Sequence, residues 1–264
     1  MKSGKSIGPD KPSIQLTERD RAILEFVREH GAAWFDVLYC KFFPDGQPEM
    51  ARSTLRRLCG TAPHYRFLRP QSSMGGAKAH YQLTFAATRL LGCSPARSRP
   101  LGAVALARRY ALQWFLFLAD ETDRVLLDGD AIKNLANTSV QALLDLTYYI
   151  AGPDDQPHLG ILTIDHGGST QRIVRKLLTI LSAVAESGAL DRFIQRRALN
   201  LTVLTVSEGK KRSVAWAYQR RLAKLSHPSL RRLRELTASH GNIDLHVWVV
   251  PGLDQLVFSN ESQS

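Results

Sequence analysis

The chain has 264 residues, of which 44% are hydrophobic, and this apolar content excludes an intrinsically disordered protein. Its 35 Lys and Arg against 24 Asp and Glu give a net charge of +11, which favours a polyanionic partner such as nucleic acid. Three scattered cysteines, without zinc-ligand spacing, exclude a disulfide framework and predict reduced core cysteines in a cytoplasmic protein.

The first predicted domain spans residues 14–92, after a loose polar tail at 1–13. In LTERDRAILEFVREHG, Thr17 and Asp20 have the spacing of a capping box, apolar residues share one face, and Gly31 ends the predicted helix. A second helix in AAWFDVLYCKFFP ends at Pro44, and a third in PEMARSTLRRLCG begins near Pro48.

The next segment, HYRFLRPQSSMGGAKAHYQLT, has two short apolar alternations around a Gly-Gly loop, which predicts a β-hairpin. FAATRLLG follows as a short helix. Helices followed by a hairpin in this order are typical of a winged helix, a variant of the helix-turn-helix. The sequence therefore predicts an N-terminal winged helix-turn-helix domain.

The third helix is the candidate DNA-recognition element, because a helix fits the major groove and Arg can bind guanine or a phosphate. Its predicted inner residues are Ala51, Leu55 and Leu58, and its predicted outer residues are Arg52, Ser53, Arg56 and Arg57. The candidate contacts from the hairpin are Arg66, Arg69, Lys78 and His80. The alternatives are a solvated basic surface and a winged helix that docks a protein.

Residues 93–101 are predicted as a linker, residues 102–258 as a second domain, and residues 259–264 as a polar tail. Residues 102–119 are apolar but contain Arg108, Arg109 and Gln113, which predicts a buried helix rather than a membrane span. Apolar strands such as LGILTID, NLTVLTVSE and IDLHVWVVP alternate with helices, which predicts an α/β layer fold with an at least partly parallel sheet.

The segment LGILTIDHGGSTQRIVRKLL places Asp165 at the end of a buried strand and Lys176 on the helix that follows. A Mg²⁺-dependent nuclease needs two or three carboxylates around the metal and usually a lysine. Asp165 is therefore the candidate metal ligand and Lys176 the candidate catalytic lysine. The alternative, which we favour, is that Asp165 caps the helix and pairs with Arg172 or Lys176.

The second carboxylate of such a nuclease site has no obvious position in the sequence. Ala151 stands where a strand-end acid is expected after Tyr148-Tyr149-Ile150, and the nearby acids are Asp145, Asp154 and Asp155. A second basic helix begins at Lys210-Lys211-Arg212. It is either a further nucleic-acid surface or a solvated charged face.

Several of these segments together resemble the replication-relaxation proteins of plasmids and other mobile elements, and the related mobilisation auxiliary proteins. The resemblance covers roughly residues 16–256. It is carried by LTERDRAILEFVREHG, FF-P, the Leu-Arg-Arg-Leu helix, YQLT before FAATRLLG, LGILTIDHGGSTQRIVRKLL and IDLHVWVVPGLDQL.

The resemblance implies a winged helix followed by a restriction-endonuclease-like α/β domain. Arg52 and Arg56 match the recognition helix, Asp165 and Lys176 match active-site-like positions, and Ala151 departs from an expected acid. We therefore expect a DNA-binding accessory protein of a mobile element, acting in replication, mobilisation or transcriptional control, with a degenerate nuclease-like domain.

The expected partners are double-stranded DNA, a relaxase or replication protein, and a second copy of the chain, since winged-helix proteins often dimerise on two-fold sites. No membrane and no cofactor are expected. Two alternatives remain: a DNA endonuclease with Mg²⁺ on Asp165, and a protein-docking winged-helix adaptor.

Overall fold

The protein is described from a computed structural model. The structure describes residues 15–60, 66–73, 78–120, 122–136, 143, 146–152, 157–224, 235 and 243–258. The predicted polar tails and the Gly-Gly loop of the hairpin lie outside these residues. The chain divides into two compact units between Leu101 and Gly102.

The first unit combines helices with a small antiparallel sheet. Its helices are α1 (Glu18–His30), α2 (Phe35–Phe42), α3 (Pro48–Cys59) and α4 (Phe85–Leu90), and its strands are β1 (Ala33–Trp34), β2 (Leu68–Ser73) and β3 (Lys78–Leu83). The strand order is β1-β3-β2, with both pairs antiparallel. The predicted helices and hairpin strands are all present, and β1 is an additional strand.

Helix α1 begins with the predicted capping box. The Thr17 side chain accepts from the Asp20 N–H at 3.1 Å, and Asp20 accepts from the Thr17 N–H at 2.9 Å. The buried Asp20 carboxylate also accepts from Arg57 of α3 at 2.6 Å. Burial alone raises the pKa of Asp20, but the hydrogen bonds from Arg57 and Thr17 outweigh it and hold this pKa below its usual value. One carboxylate thus caps α1 and joins it to α3.

The core of the first unit lies between the helices and the sheet. Helices α1, α2 and α3 each contribute a buried apolar face. The buried side chains include Ile23, Leu24, Val27, Trp34, Leu38, Leu55, Leu58, Leu68 and Leu83.

The predicted linker at 93–101 contains a 3₁₀ helix, Pro95–Ser98. Arg69 of β2 donates to the Ser98 carbonyl and to Gln82 Oε1, each at 3.2 Å. These bonds attach the 3₁₀ helix to the hairpin, and this segment therefore packs with the first unit.

The second unit is a mixed α/β structure. Its helices are α5 (Ala103–Phe117), α6 (Gly129–Ala136), α7 (Thr170–Ser187), α8 (Asp191–Gln195), α9 (Glu208–Lys224) and α10 (Leu253–Phe258). Its strands are β4 (Arg124–Leu127), β5 (Thr147–Ala151), β6 (His158–Ile164), β7 (Leu199–Thr205) and β8 (Asp244–Val249).

The sheet of the second unit has the order β4-β5-β6-β7-β8. The pairs β6–β7 and β7–β8 are parallel, whereas β4–β5 and β5–β6 are antiparallel. The prediction of an at least partly parallel sheet is therefore confirmed. Parallel pairing brings the carboxyl ends of β6, β7 and β8 to one edge of the sheet.

Helices cover both faces of this sheet. Buried side chains of α7 and α9, such as Leu177 and Tyr218, share one core cluster with Tyr148 and Ile161 of the strands. On the opposite face, Phe115 of α5 contacts Tyr149 edge-on, with 4.9 Å between ring centroids. Adjacent residues of β5 thus face different helices, as the two-residue period of a strand requires.

Two further sequence expectations concern membrane-spanning helices and the cysteines. No helix within the described residues has both the length and the apolar character that a membrane crossing needs. The three cysteines, all among the described residues, form no disulfide; Cys40 is exposed, and Cys59 and Cys93 are half-buried. The prediction of core cysteines is therefore wrong, because each lies near a helix end or in a turn rather than on a buried face.

Candidate functional site

Asp165 lies at the edge where the parallel strands β6 and β7 end. It follows the last residue of β6, and Thr205 is the last residue of β7. Helix α9 starts shortly after β7 and brings Lys210, in its first turn, to the same edge. In open α/β sheets the crevice at the carboxyl ends of the strands is where ligands most often bind.

The Asp165 carboxylate is fully buried and has several partners. Oδ1 accepts from the Gly167 N–H at 3.0 Å, and Oδ2 accepts from the Thr205 hydroxyl at 3.2 Å. Lys210 Nζ lies 4.0 Å from Oδ2 and also donates to the Gly168 carbonyl. Asp165 therefore joins both strand ends, the Gly-Gly loop and α9.

These contacts correct the alternative that Asp165 caps the next helix and pairs with Arg172 or Lys176. The cap of α7 is Ser169, whose side chain accepts from the Arg172 N–H at 3.3 Å. The cation beside Asp165 is Lys210. The physical reason is the parallel pairing of β6 with β7, which places the start of α9 nearer to the carboxylate than the second turn of α7.

Asp165 and Lys176 nevertheless line one cavity, of about 350 Å³, between the end of β6 and the first turns of α7. Arg172 and Thr163 also line it. Within the described residues, no carboxylate lies within ion-pair distance of Lys176. Lys176 is an exposed residue, but partial desolvation, and then the positive charges of Arg108 and Arg172, lower its pKa.

A larger cavity, of about 910 Å³, adjoins the first through His166, which lines both. It is lined mainly by the N-terminal half of α5, including Arg108, whose guanidinium donates to Thr147 Oγ1 at 3.2 Å. Partial desolvation of the exposed His166 and the charges of Arg108, Lys176 and Arg172 lower its pKa, although Asp165 acts in the opposite direction. The edge of the sheet is thus rich in positive charge.

The described residues contain no group of three or more His, Cys, Asp or Glu side chains that could hold a metal ion. Ala151, where an acid was expected, pairs with His158 at the start of β6, whereas Asp165 follows its end. The expectation that the residue at position 151 lies beside Asp165 is wrong, because β5 runs antiparallel to β6. The other candidate acids, Asp145, Asp154 and Asp155, lie outside the described residues.

Helix α3 presents most of the predicted DNA contacts on its exposed face. Arg52 and Arg56 are one turn apart, with side chains 50% and 76% exposed, and Ser53 beside them is exposed. Glu49 pairs with Arg52 and lies 3.8 Å from Arg56. Arg57 differs from the others, because its guanidinium is bound to Asp20.

The predicted hairpin contacts separate into exposed and internal residues. Arg66 is exposed, and its Nε donates to the Gly60 carbonyl at 3.3 Å. Arg69 is half-buried and holds the hairpin to the 3₁₀ helix. Lys78 begins β3, but its side chain lies outside what the structure describes.

His80 is the one hairpin contact that the structure contradicts. It is only 2% exposed, because β3 pairs with β1 and sets His80 opposite Trp34, with 5.6 Å between the rings. His80 therefore packs in the core and cannot reach DNA from this position. Burial, and then the charge of Arg69, lower its pKa to about 4.

The buried His80 predicts a loss of stability in mild acid. An unfolded chain takes up a proton on this histidine near pH 6.5, whereas the folded chain does so only near its pKa of about 4. Its contribution to stability is therefore complete above about pH 6.5 and is lost progressively toward pH 4, about 2 kcal/mol by pH 5.

Urea denaturation between about pH 7 and pH 5 measures this loss, and NMR titration of the His80 ring measures its pKa. His80→Gln should abolish about 2 kcal/mol of the pH dependence. His158→Gln, which changes an exposed histidine, is the control and should keep it. A His80 ring that titrates near pH 6.5 in the folded protein contradicts the prediction.

Sequence reasoning missed Thr205, Lys210, Thr163 and Arg108 as residues of this edge. The sequence predicts Lys210 only as part of a basic helix, either a further nucleic-acid surface or solvated charge, although its position just after a strand is a usable signal. Residues that follow neighbouring parallel strands converge at one edge. The order of the strands was needed to apply that rule to Asp165 and Lys210.

Comparison of the chain with models of protein families, with curated proteins and with solved structures finds no match.

Proposed function

We propose that the first unit is a winged helix that binds double-stranded DNA through the exposed face of α3. The observation that carries the proposal is the placement of Arg52 and Arg56, one turn apart and exposed, on a helix whose opposite face is buried. A helix of this kind, followed by a hairpin, is the arrangement that inserts side chains into the major groove.

Glu49 does not prevent this role. Its pairs with Arg52 and Arg56 are solvent-exposed, and exposed ion pairs contribute only about 0–1 kcal/mol. Arg binds phosphate with the same bidentate geometry as carboxylate, so DNA phosphates can replace Glu49. Arg57 has a different part in the proposal, because its bond to Asp20 sets the position of α3 relative to α1.

The resemblance to replication-relaxation and mobilisation auxiliary proteins supports extending the proposal to an accessory role on a plasmid or another mobile element. The second unit then contributes a restriction-endonuclease-like fold, and it contacts DNA, a relaxase or replication protein, or a second copy of the chain. The net charge of +11 favours DNA as the first partner.

The double variant Arg52→Glu/Arg56→Glu tests the proposal. We expect it to weaken binding to duplex DNA by about 30-fold or more, since each contact of this kind is worth about 1–3 kcal/mol. If both arginines bind phosphates, the dependence of the logarithm of affinity on the logarithm of salt concentration becomes less steep by about 2. Fluorescence anisotropy over a salt series measures both quantities.

Arg21→Glu/Arg89→Glu is the matched control, because it makes the same charge change at exposed positions on α1 and α4. Equal losses in the two double variants mean that DNA responds only to net charge. No binding of the wild type at low salt contradicts the proposal and leaves the protein-docking adaptor.

The second candidate function is a metal-dependent DNA endonuclease. The observation that favours it is that Asp165 and Lys176 line the same cavity. It ranks second because both oxygens of Asp165 already have partners and a lysine lies beside Oδ2. Binding without cleavage is thus the better-supported function.

A further inference from the structure

The 350 Å³ cavity beside Asp165 has features that the proposed DNA binding by α3 does not use. Its size is near the lower end of ligand pockets, about 300–1,000 Å³. It is formed by the end of β6, the Gly-Gly loop and the start of α7.

Two cations of α7 line this cavity without a carboxylate partner. Arg172 and Lys176 are one turn apart, and neither forms an ion pair within the part of the chain that the structure describes. The positive charges of Arg108 and Arg172 lower the pKa of Lys176, so these groups lie close enough to repel one another. An anion in the cavity relieves that repulsion.

The backbone adds donors beside the cavity. Gly168, which lines it, and residues 169–171, which follow, have N–H groups without an acceptor among the described residues. They precede or open α7, an 18-residue helix whose dipole favours negative charge at this end.

A buried hydroxyl is independent evidence for a ligand. Thr163 is 3% exposed, and its Oγ1 has no hydrogen-bond partner among the described residues. It lies on the same face of β6 as Ile161 and Asp165, toward α7, and it lines the cavity. A buried polar group without a partner is costly, so it is usually matched to water, an ion or a ligand.

The negative charge of Asp165 is compensated by its partners, so it does not repel an anion in the cavity. Its oxygens accept from Gly167 N–H and Thr205, and the Lys210 ammonium lies beside it. The charge that remains toward the cavity is therefore that of Arg172 and Lys176.

We propose that this cavity binds a phosphate group. Arg172 and Lys176 supply the charge, the Gly168 N–H just before α7 donates to one of its oxygens, and the Thr163 hydroxyl donates to another. The adjoining 910 Å³ cavity leaves space for the remainder of a phosphate ester. This site goes beyond DNA recognition by α3 and does not depend on it.

Titration of the full-length protein with sodium phosphate, against sodium chloride at matched ionic strength, tests the site by calorimetry and by thermal unfolding. Saturable binding of phosphate is expected. Lys176→Gln and Arg172→Gln should each weaken it about tenfold or more, as expected for a hydrogen bond to a charged group. Arg175→Gln, an exposed neighbour on α7 outside the cavity lining, is the matched control and should bind as the wild type does.

Thr163→Val keeps the shape of the side chain and removes only the hydroxyl. Because that hydroxyl has no partner within the described structure, the melting temperature without phosphate should stay the same or rise. Phosphate affinity should fall by about three- to tenfold. If a charge variant fails to fold, Thr163→Val still decides the question.

The source of the phosphate is distinguished with a mononucleotide and with duplexes that carry 5′-phosphate or 5′-hydroxyl ends. These are tested on Arg52→Glu/Arg56→Glu, so that a failure of DNA binding by α3 is not confused with a failure of this site. A preference for the 5′-phosphate that is lost in Lys176→Gln supports the site with DNA as the source. Phosphate or mononucleotide binding alone supports it with a free ligand. Equal effects of phosphate and chloride, or equal losses in Lys176→Gln and Arg175→Gln, overturn the proposal.

Discussion

Gly160→Ala is expected to lower the free energy of unfolding of the second unit by about 3 kcal/mol or more, because it overpacks a buried position and disrupts an aromatic contact. An added Cβ at Gly160 comes within 2.0 Å of Tyr149 Cε1 and Cζ. The two residues are opposite each other in the antiparallel β5–β6 pair, and the tyrosine ring lies across the glycine.

Tyr149 has no simple way to move aside. Its hydroxyl is hydrogen-bonded to Thr202 Oγ1 at 2.8 Å, and its ring contacts Phe115 edge-on. Either the ring leaves both partners or the strands separate. The first change removes the contact with Phe115 of α5 and the bond to Thr202, and the second breaks the β5–β6 pairing.

Urea denaturation followed by circular dichroism measures this loss, and Gly209→Ala is the matched control. Gly209 lies in α9, where nothing comes within 4 Å of an added Cβ. Because Gly209 is only the second residue of this helix, the control should be as stable as the wild type or gain up to about 1 kcal/mol. A Gly160→Ala protein as stable as the wild type would show that Tyr149 is not held as described.

Asp165→Ala is expected to cost the second unit about 3 kcal/mol, since it removes the acceptor of two hydrogen bonds and leaves the Lys210 ammonium without its carboxylate. Asp165→Asn keeps an oxygen for the Gly167 N–H and should cost less. Asp123→Ala, at an exposed acid, should change stability by no more than about 0.5 kcal/mol.

The same Asp165 variants separate a structural role from a catalytic one. DNA incubated with the wild type and Mg²⁺ is checked for nicks. Intact DNA together with the expected loss of stability supports the structural role. Nicks that vanish in Asp165→Asn, while the protein stays folded, would establish the endonuclease.

Local patterns in the sequence are sufficient to predict a contact when its two residues are close together in the chain. The capping box of Thr17 and Asp20 was predicted because its partners are three residues apart. The buried face of α3 and the strands before Asp165 follow from periodicities of a few residues. Pairing within one helix or strand needs no knowledge of the rest of the fold.

Contacts between distant segments were not predicted. Arg57 pairs with Asp20 across 37 residues, and Lys210 meets Asp165 only because β6 and β7 are parallel neighbours. His80 was assigned to the surface because the two-residue strand β1, which covers it, has no sequence pattern. The sequence also does not indicate the direction of β5. Because β5 is antiparallel to β6, Ala151 lies opposite the start of β6, whereas Asp165 follows its end.

The parallel order β6-β7-β8 also determines when the sheet of the second unit can be completed during synthesis. Until β8 (Asp244–Val249) has been made, β7 has no partner on one side, and its residues are almost all buried in the finished fold. An unpaired apolar strand edge makes an incomplete chain prone to aggregation. At roughly 5–20 residues per second, the ribosome needs about two seconds or more to synthesise the residues between β7 and β8. The second unit therefore depends on a late segment to close its sheet, whereas the first unit has all its strands by Leu83.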